Sequence, residues 1–336
     1  MRQIHSAGKK CKMRAVVLTR TCTPEELEVV DVPIPEVKPG WVLVKIKAFG
    51  LNHSEAILRR SEANAPYIKL PRIPGIECVG EVLDAYGSPY KIGQRVCALM
   101  GGMGRSFDGS YAEYALLPEQ NVFAVETDLD WNEMAAIPET WFTAWASLFD
   151  CLQLTSQDTL LIRGGTSALG IAAIQIAKSI GSTVFATTRK SERLEYLLAC
   201  GAIPLLDQGN LLEQLRTAEI YSIQKVLELV GPVTLEESLR LVQYHGIVCS
   251  TGILGNKATI SEFDPIKSIP NGVYLSSFYS NFPTQLVISE IFHFIHSHQI
   301  KPVISGIFPL EEISKAHRLM EDSAAIGKLV VSVSND

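Results

Sequence analysis

Apolar residues between Met13 and about Asp128 fall in short runs, at 15–18, 42–49, 79–83 and 95–99. Pro33, Pro35, Pro39, Gly40, Pro71, Pro74 and Gly93 punctuate them. Short runs bounded by turn residues predict a β-rich, barrel-like domain. The pattern changes near Asp130. Residues 130–149 carry helical runs, and strand-length segments at 159–163, 183–188, 225–229 and 246–250 then alternate with helix-length ones at 169–180, 191–199 and 235–243. Such alternation predicts a parallel sheet covered on both faces by helices. Two more amphipathic helices, at 283–298 and 310–322, and a strand at 328–333 follow. The expected division is a flexible extension over 1–12, a β-rich domain from 13–128 and 282–336, and a parallel-sheet domain over 129–281. An active site is expected in the cleft between the two domains.

With 336 residues, 47% of them hydrophobic, the chain can build two domains with their own cores. Its net charge of −6 leaves no electrostatic footprint for nucleic acid or an anionic membrane surface. No run of about eighteen apolar residues predicts a membrane span. The basic residues 1–12 lack the apolar stretch of a secretory signal. Cys11, Cys22, Cys78, Cys97, Cys151, Cys200 and Cys249 are scattered, with no CxxC pair. That spread predicts reduced thiols in a cytoplasmic protein, not a disulfide framework or a four-cysteine zinc site.

The apolar strand at 159–163 runs directly into Gly164, Gly165, Thr166, Ser167, Ala168, Leu169 and Gly170, which open a helix that Gly181 stops. Small residues here permit a tight turn and the close approach of a pyrophosphate, which N–H groups at the helix start would hold. The run departs from GxGxxG, so its place between a buried strand and a helix carries the reading. An ordinary tight turn is the alternative. An NAD site places Asp or Glu about 20 residues past the loop, on the ribose hydroxyls. Here the strand at 183–188 ends in Thr187, Thr188, Arg189 and Lys190, with Arg193 one turn further on. No carboxylate stands there to repel a 2′-phosphate. Arg189 is the best of the three cations, because a planar guanidinium grips phosphate by two bonds. A solvated basic patch is the weaker alternative, since cations at a helix N-terminus oppose its dipole. NADPH is the expected cofactor.

Several short motifs recur in a specific order: Gly50-Leu51-Asn52-His53-Ser54-Glu55, Pro74-Gly75-Ile76-Glu77 and Gly109-Ser110-Tyr111-Ala112-Glu113-Tyr114. Trp141-Phe142-Thr143-Ala144-Trp145, the phosphate loop and Gly327-Lys328-Leu329-Val330 continue the series. On these, the chain from Met13 onward resembles the medium-chain dehydrogenase/reductase superfamily, in its zinc-independent quinone-oxidoreductase branch. The resemblance implies an α/β protein, with a GroES-like β-rich catalytic domain, a Rossmann domain with a doubly wound parallel sheet, and a homodimer formed through the Rossmann sheets. Zinc-dependent relatives carry cysteine where Asn52 stands, histidine where Ile76 stands, and cysteine or aspartate at about Glu139. Catalytic zinc needs three N, S or O side-chain ligands; Ile76 supplies none, and the Asn52 amide is a poor substitute for thiolate. A metal-free enzyme is expected. His293, His296 and His298 read as histidines of a helix end, because 298 lies off the face that 293 and 296 share.

The resemblance further implies hydride transfer from C4 of a nicotinamide to an electron-poor acceptor. It puts Asn52 and Thr143 near the nicotinamide, with Thr251, Gly252 and Ile253 on the other side; a satisfied hydroxyl on a packed helix is the alternative for Thr143. Several quinone reductases of this branch carry tyrosine where Ile57 stands. His53 and Ser54 are then left as a proton relay, unless solvent protonates the product; an exposed or cofactor-contacting His53 is the alternative. Met100, Met103 and Phe107, in the glycine-rich loop 100–107, read as a flexible apolar wall for a planar substrate, or as part of a surface hairpin. Three functions remain: an NADPH-dependent quinone reductase, an NADPH-dependent enone or alkenal reductase, and an NADPH-binding regulatory or structural protein with little turnover.

Overall fold

The computed structural model describes residues 11–220 and 222–333. Of the extension expected over 1–12, all but Cys11 and Lys12 lie outside the described residues. The chain forms two compact units. One comprises the described residues up to Glu139, with Asn281–Phe292 and Ile304 onward; the other comprises Thr140–Ser280 and His293–Val303.

Trp41–Gly50 organises the first, β-rich unit. Val44, Ile46 and Ala48 are buried, while Lys45 and Lys47 between them reach outward, Lys47 to Glu81 at 3.5 Å. This is the period-two alternation of a strand with one face on a core. Glu77–Asp84 pairs along one side of it; Tyr114–Pro118 and Lys328–Ser332 share the other, all antiparallel. Arg95–Leu99 and Val122–Ala124 extend the sheet beyond Glu77–Asp84, and Ile304–Pro309 extends it beyond Lys328–Ser332. Inside, the Phe49 ring stacks on Tyr111 at 4.8 Å, and the Tyr111 hydroxyl meets His317 Nε2 at 2.8 Å. Burial pushes His317 down to about 3, with Arg59 adding to the effect, so the ring is neutral.

The second unit is a parallel sheet in the order Ile203–Leu206, Thr183–Thr188, Thr159–Arg163, Lys225–Glu228, Ile247–Ser250 and Tyr274–Ser277. Leu160, Leu161 and Ile162 are fully buried, as a strand covered on both faces requires. Two edge strands escaped the sequence pattern. Ile203–Leu206 contains Pro204, which is tolerated because the strand is at the sheet edge. Tyr274–Ser277 is short and lies at the other edge. The helix expected at 191–199 begins with the tight turn Ser191–Arg193 and becomes α-helical over Leu194–Ala199. Among the described residues, no helix is long and apolar enough to cross a membrane.

Candidate functional site

In the parallel-sheet unit, Thr159–Arg163 hands over to the loop at Gly164, whose φ of +84° lies in the left-handed region. A Cβ there would come within 2.9 Å of Leu254 Cδ1, so glycine also lets the loop lie against the segment after Ile247–Ser250. The helix Ala168–Ser179 starts at Ser167, whose Oγ accepts from Gly170 N–H at 3.0 Å and donates to Gly164 O at 2.8 Å. Gly164 and Gly165 do not offer their N–H groups to a ligand: they donate to Thr187 Oγ1 at 3.2 Å and Thr187 O at 2.9 Å. The first N–H groups of the helix, those of Ala168 and Leu169, have no intrahelical acceptor.

The same contacts bind the loop to the basic strand end. Thr187 and Thr188 are buried, and Thr188 Oγ1 accepts from Lys190 N–H at 3.2 Å. Arg189 and Lys190 are exposed, and Arg193 Nη1 reaches Thr166 Oγ1 at 3.4 Å. Buried Thr166, Thr187 and Thr188 thus lie under the cations Arg189, Lys190 and Arg193 beside the loop. The residues after Ile247–Ser250 are also fixed: Thr251 and Gly252 both donate N–H to Glu228 O, at 3.0 and 3.2 Å. Thr251 Oγ1 meets Ser147 Oγ at 3.0 Å. Thr143 is buried one helical turn before Ser147. Ile253 continues the Thr251–Gly252 segment beside Leu254.

Beneath the loop lies Arg163, fully buried. Its Nε and Nη2 grip Asp207 through both carboxylate oxygens at 2.9 Å, and Nη2 also meets Glu237 at 2.8 Å. Nη1 meets Ser238 Oγ at 3.2 Å, and Ser238 hydroxyl in turn donates to Glu228. Glu228 Oε1 accepts from Val230 and Gly231 N–H at 2.8 and 2.9 Å. The network ties three strand ends together where the glycine-rich loop begins. Burial pushes the Glu228 carboxyl up, against Ser238, Gly231 and Arg163, which pull it down.

In the β-rich unit, Trp41–Gly50 leads into the helix His53–Arg60 through Asn52. Glu55 closes the helix start: its Oε2 accepts Asn52 N–H at 2.8 Å and its Oε1 accepts Ile76 N–H at 3.1 Å. The Asn52 amide is engaged at both ends. Its Nδ2 donates to Glu77 Oε1 at 2.8 Å, and its Oδ1 accepts from Lys328 Nζ at 2.6 Å. Lys328 Nζ is 2.7 Å from Glu77 Oε1, and Glu139 N–H donates to Glu77 Oε2 at 2.7 Å. Glu55, Glu77 and Lys328 are 1%, 0% and 2% exposed. A Cβ at Gly50 would collide with the Lys328 side chain and come within 2.6 Å of Glu77 Oε1, so glycine makes room for the pair. Burial pushes the Glu55 carboxyl up to about 7; Lys328 pulls it down and Glu77 pushes it further up.

The remaining expected residues do not converge on one wall. Ser54 Oγ accepts from Arg105 Nη2 at 2.9 Å, and Arg105 is paired with Glu62 at 2.7 Å. Ile57 lies one turn after the half-buried His53 on the same helix face. Met103 corrects the expected apolar wall: it is 1% exposed and belongs to the hydrophobic core. The loop folds back on itself, with Met103 N–H donating to Met100 O at 3.1 Å. Nor is the loop loosely held, since Gly101 N–H donates to Asn281 Oδ1 at 3.1 Å and Asn121 Nδ2 donates to Met100 O at 2.9 Å. Phe107 stands edge-on to Trp41 at 5.5 Å, at the opposite end of Trp41–Gly50 from Asn52.

Residues 38–127 match the alcohol dehydrogenase GroES-like domain family, and residues 168–291 match the zinc-binding dehydrogenase family. The quinone oxidoreductase of Homo sapiens is 29% identical over 340 residues, spanning 97% of this chain and 99% of that protein. The chain belongs to the medium-chain dehydrogenase/reductase superfamily, in its quinone oxidoreductase-like branch. The crystal structure of an NAD-dependent alcohol dehydrogenase superposes with a TM-score of 0.84 at 28% identity, covering 96% of this chain and 100% of that one. A mycobacterial protein complexed with NADPH has the same fold, with a TM-score of 0.83 at 24% identity and coverage of 96% and 100%. As a medium-chain dehydrogenase/reductase, the protein is an oxidoreductase with a nicotinamide cofactor.

Within this family frame, two buried cations stand out that sequence reasoning passed over. Lys328 and Arg163 each sit in an otherwise apolar strand, LVV after the lysine and LLI before the arginine. A charge inside such a run was the available signal, since Lys and Arg are buried only when paired. His293, His296 and His298 are exposed, and among the described residues no group of three metal-ligating side chains converges.

Proposed function

We propose that the protein is a zinc-independent, NADPH-dependent oxidoreductase that delivers hydride to a quinone-type acceptor. The observation that carries the cofactor reading is the strand end Thr187–Lys190, where two threonines and two exposed cations stand in place of a ribose-binding carboxylate. Asp207, the carboxylate on the neighbouring strand end, is drawn inward by Arg163, which removes its charge from competition with a 2′-phosphate. Ala168 and Leu169 N–H groups bind the pyrophosphate, and Arg189, with Lys190 and Arg193, binds the 2′-phosphate. Thr143, Thr251, Gly252 and Ile253 serve the nicotinamide end. When bound, the nicotinamide supplies the hydride; the protein orients it and keeps water out.

Independence from zinc is supported by the donor set. Ile76 has no ligand atom, and the Asn52 oxygen already accepts from an ammonium group that carries the local positive charge. Asn52 is accordingly a positioning residue, held by Lys328 and Glu77. Protonation of the reduced acceptor falls to His53 and Ser54. Because Arg105 donates to Ser54 Oγ, the Ser54 hydroxyl proton is directed to another acceptor. A homodimer through the edge strand Tyr274–Ser277 is consistent with Tyr274 at 54% exposure at the rim of the sheet. The free thiols fit a reducing, cytoplasmic setting.

The test is anaerobic mixing of the protein with NADPH and a panel of quinones and enones, following nicotinamide absorbance. Turnover with quinones supports the proposal. Turnover confined to enones moves the assignment to a double-bond reductase, and no absorbance loss with any acceptor contradicts both.

A further inference from the structure

Two cysteines far apart in the chain meet in the parallel-sheet unit. Cys151 ends the π-helical segment Ser147–Cys151, and Cys249 lies in the strand Ile247–Ser250. The Cys151 thiol donates to Ser277 O at 3.6 Å, and Ser277 is the register partner of Ser250, next to Cys249. Cys249 Sγ is 3.4 Å from Thr251 Oγ1, which meets Ser147 Oγ, at the start of the same π segment, at 3.0 Å. These contacts set one end of the segment against Thr251, beside Cys249, and the other against Ser277 on the adjoining strand, which brings the two thiols close together. Cys78 and Cys97, on adjacent strands of the β-rich unit, are also close, but both are sealed in the core at 1% and 0% exposure. Cys151 is half-buried and reachable, whereas Cys249 is buried.

We propose that Cys151 and Cys249 form a redox modification site that closes to an intrachain disulfide when hydrogen peroxide reaches Cys151. The Cys151 thiolate attacks one peroxide oxygen; the O–O bond breaks, hydroxide leaves and is protonated to water, and Cys151 becomes a sulfenic acid. Cys249 sulfur then attacks Cys151 sulfur and gives up its proton; the S–S bond forms, the S–O bond breaks, and a second water leaves. The two thiols together lose two electrons and two protons, and peroxide is reduced to two waters. The order follows from access: Cys151 is half-buried and Cys249 is buried, so Cys151 meets the oxidant first and Cys249 resolves.

The disulfide clamps the π segment onto the strand end that carries Thr251, and so weakens NADPH binding. That consequence rests on the nucleotide reading above; the cross-link itself does not. The experiment treats the reduced full chain with hydrogen peroxide, alkylates it under denaturing conditions and maps it by non-reducing peptide mass spectrometry. The expected result is a linked pair of peptides carrying Cys151 and Cys249, lighter by two hydrogens and separated by dithiothreitol. In Cys249→Ser, Cys151 is instead trapped as its sulfenic acid adduct with dimedone. Alkylation of both thiols after a dose that oxidises the exposed Cys11 overturns the site. NADPH titration then compares the two forms. A several-fold loss of affinity on cross-linking, restored by dithiothreitol, is expected, and equal affinity of the reduced and linked forms overturns the switch. A reduced form that fails to bind NADPH contradicts the nucleotide reading instead.

Discussion

Lys328 Nζ donates to Asn52 Oδ1 at 2.6 Å while standing 2.7 Å from Glu77 Oε1, with both charged side chains almost wholly out of solvent. Desolvation of two charges is offset only when both stay paired and hydrogen-bonded. Glu77 meets that condition through Lys328, Asn52 and Glu139 N–H. Lys328→Met should therefore cost about 3–5 kcal/mol of unfolding free energy, by leaving a buried carboxylate uncompensated. Adding Glu77→Gln to that variant should recover part of the loss. Denaturant titration of the single and double variants checks this; a single-variant loss under about 1 kcal/mol would show the pair to be dispensable.

Arg163 holds Asp207 bidentately and reaches Glu237 and Ser238 from a fully buried position. Lysine has the charge but not the planar fork. Arg163→Lys should lower stability by about 2 kcal/mol and weaken nucleotide binding, since the network anchors the strand end feeding Gly164. Thermal unfolding with and without NADPH measures both effects. Unchanged stability would mean that the strand ends are held in some other way.

Glu55 links stability to pH. Its folded value of about 7 stands above its ordinary 4.5, so the folded state holds this proton more tightly than the unfolded chain. The stabilisation is fully present below about pH 4.5 and is lost as pH rises through 7, amounting to no more than about 3 kcal/mol. In Glu55→Gln that titration is gone, and the amide oxygen can still accept Asn52 or Ile76 N–H. The wild-type unfolding free energy, minus that of the variant, should fall between pH 4.5 and 7. A difference that stays flat across that window rules out the assignment.

Metal content separates the zinc-independent reading from its zinc-dependent relatives. Protein purified in zinc-containing buffer should carry far less than stoichiometric zinc by elemental analysis, and a chelator should leave turnover intact. Stoichiometric zinc whose removal abolishes activity would reverse the reading of Asn52 and Ile76.

The strands whose pattern is local were legible in the sequence. Thr159–Arg163, Thr183–Thr188 and Arg95–Leu99 begin and end where their apolar runs do. Ile203–Leu206 and Tyr274–Ser277 were not, because four-residue edge strands carry too little periodicity and one includes a proline. Within the candidate site, the glycine-rich loop and the basic strand end are legible from local composition. The partners of Asn52 do not: Lys328 reaches it from the far end of the chain, and a lone lysine opening a strand ordinarily reads as solvated. Met103 misled for the opposite reason, since a methionine among glycines looks like a loop tip until the turn brings it into the core. The meeting of Cys151 and Cys249 depends on how the π segment closes against the sheet, which no spacing rule encodes.

The central claim, that Thr187–Lys190 selects NADPH, is tested most directly by titrating wild type and Arg189→Ala with NADPH and NADH. A charge-assisted pair to phosphate contributes about 1.5–3 kcal/mol, so the variant should lose NADPH affinity by roughly tenfold or more while NADH affinity changes little. Equal losses for the two nucleotides, or wild type binding NADH as tightly as NADPH, would contradict it.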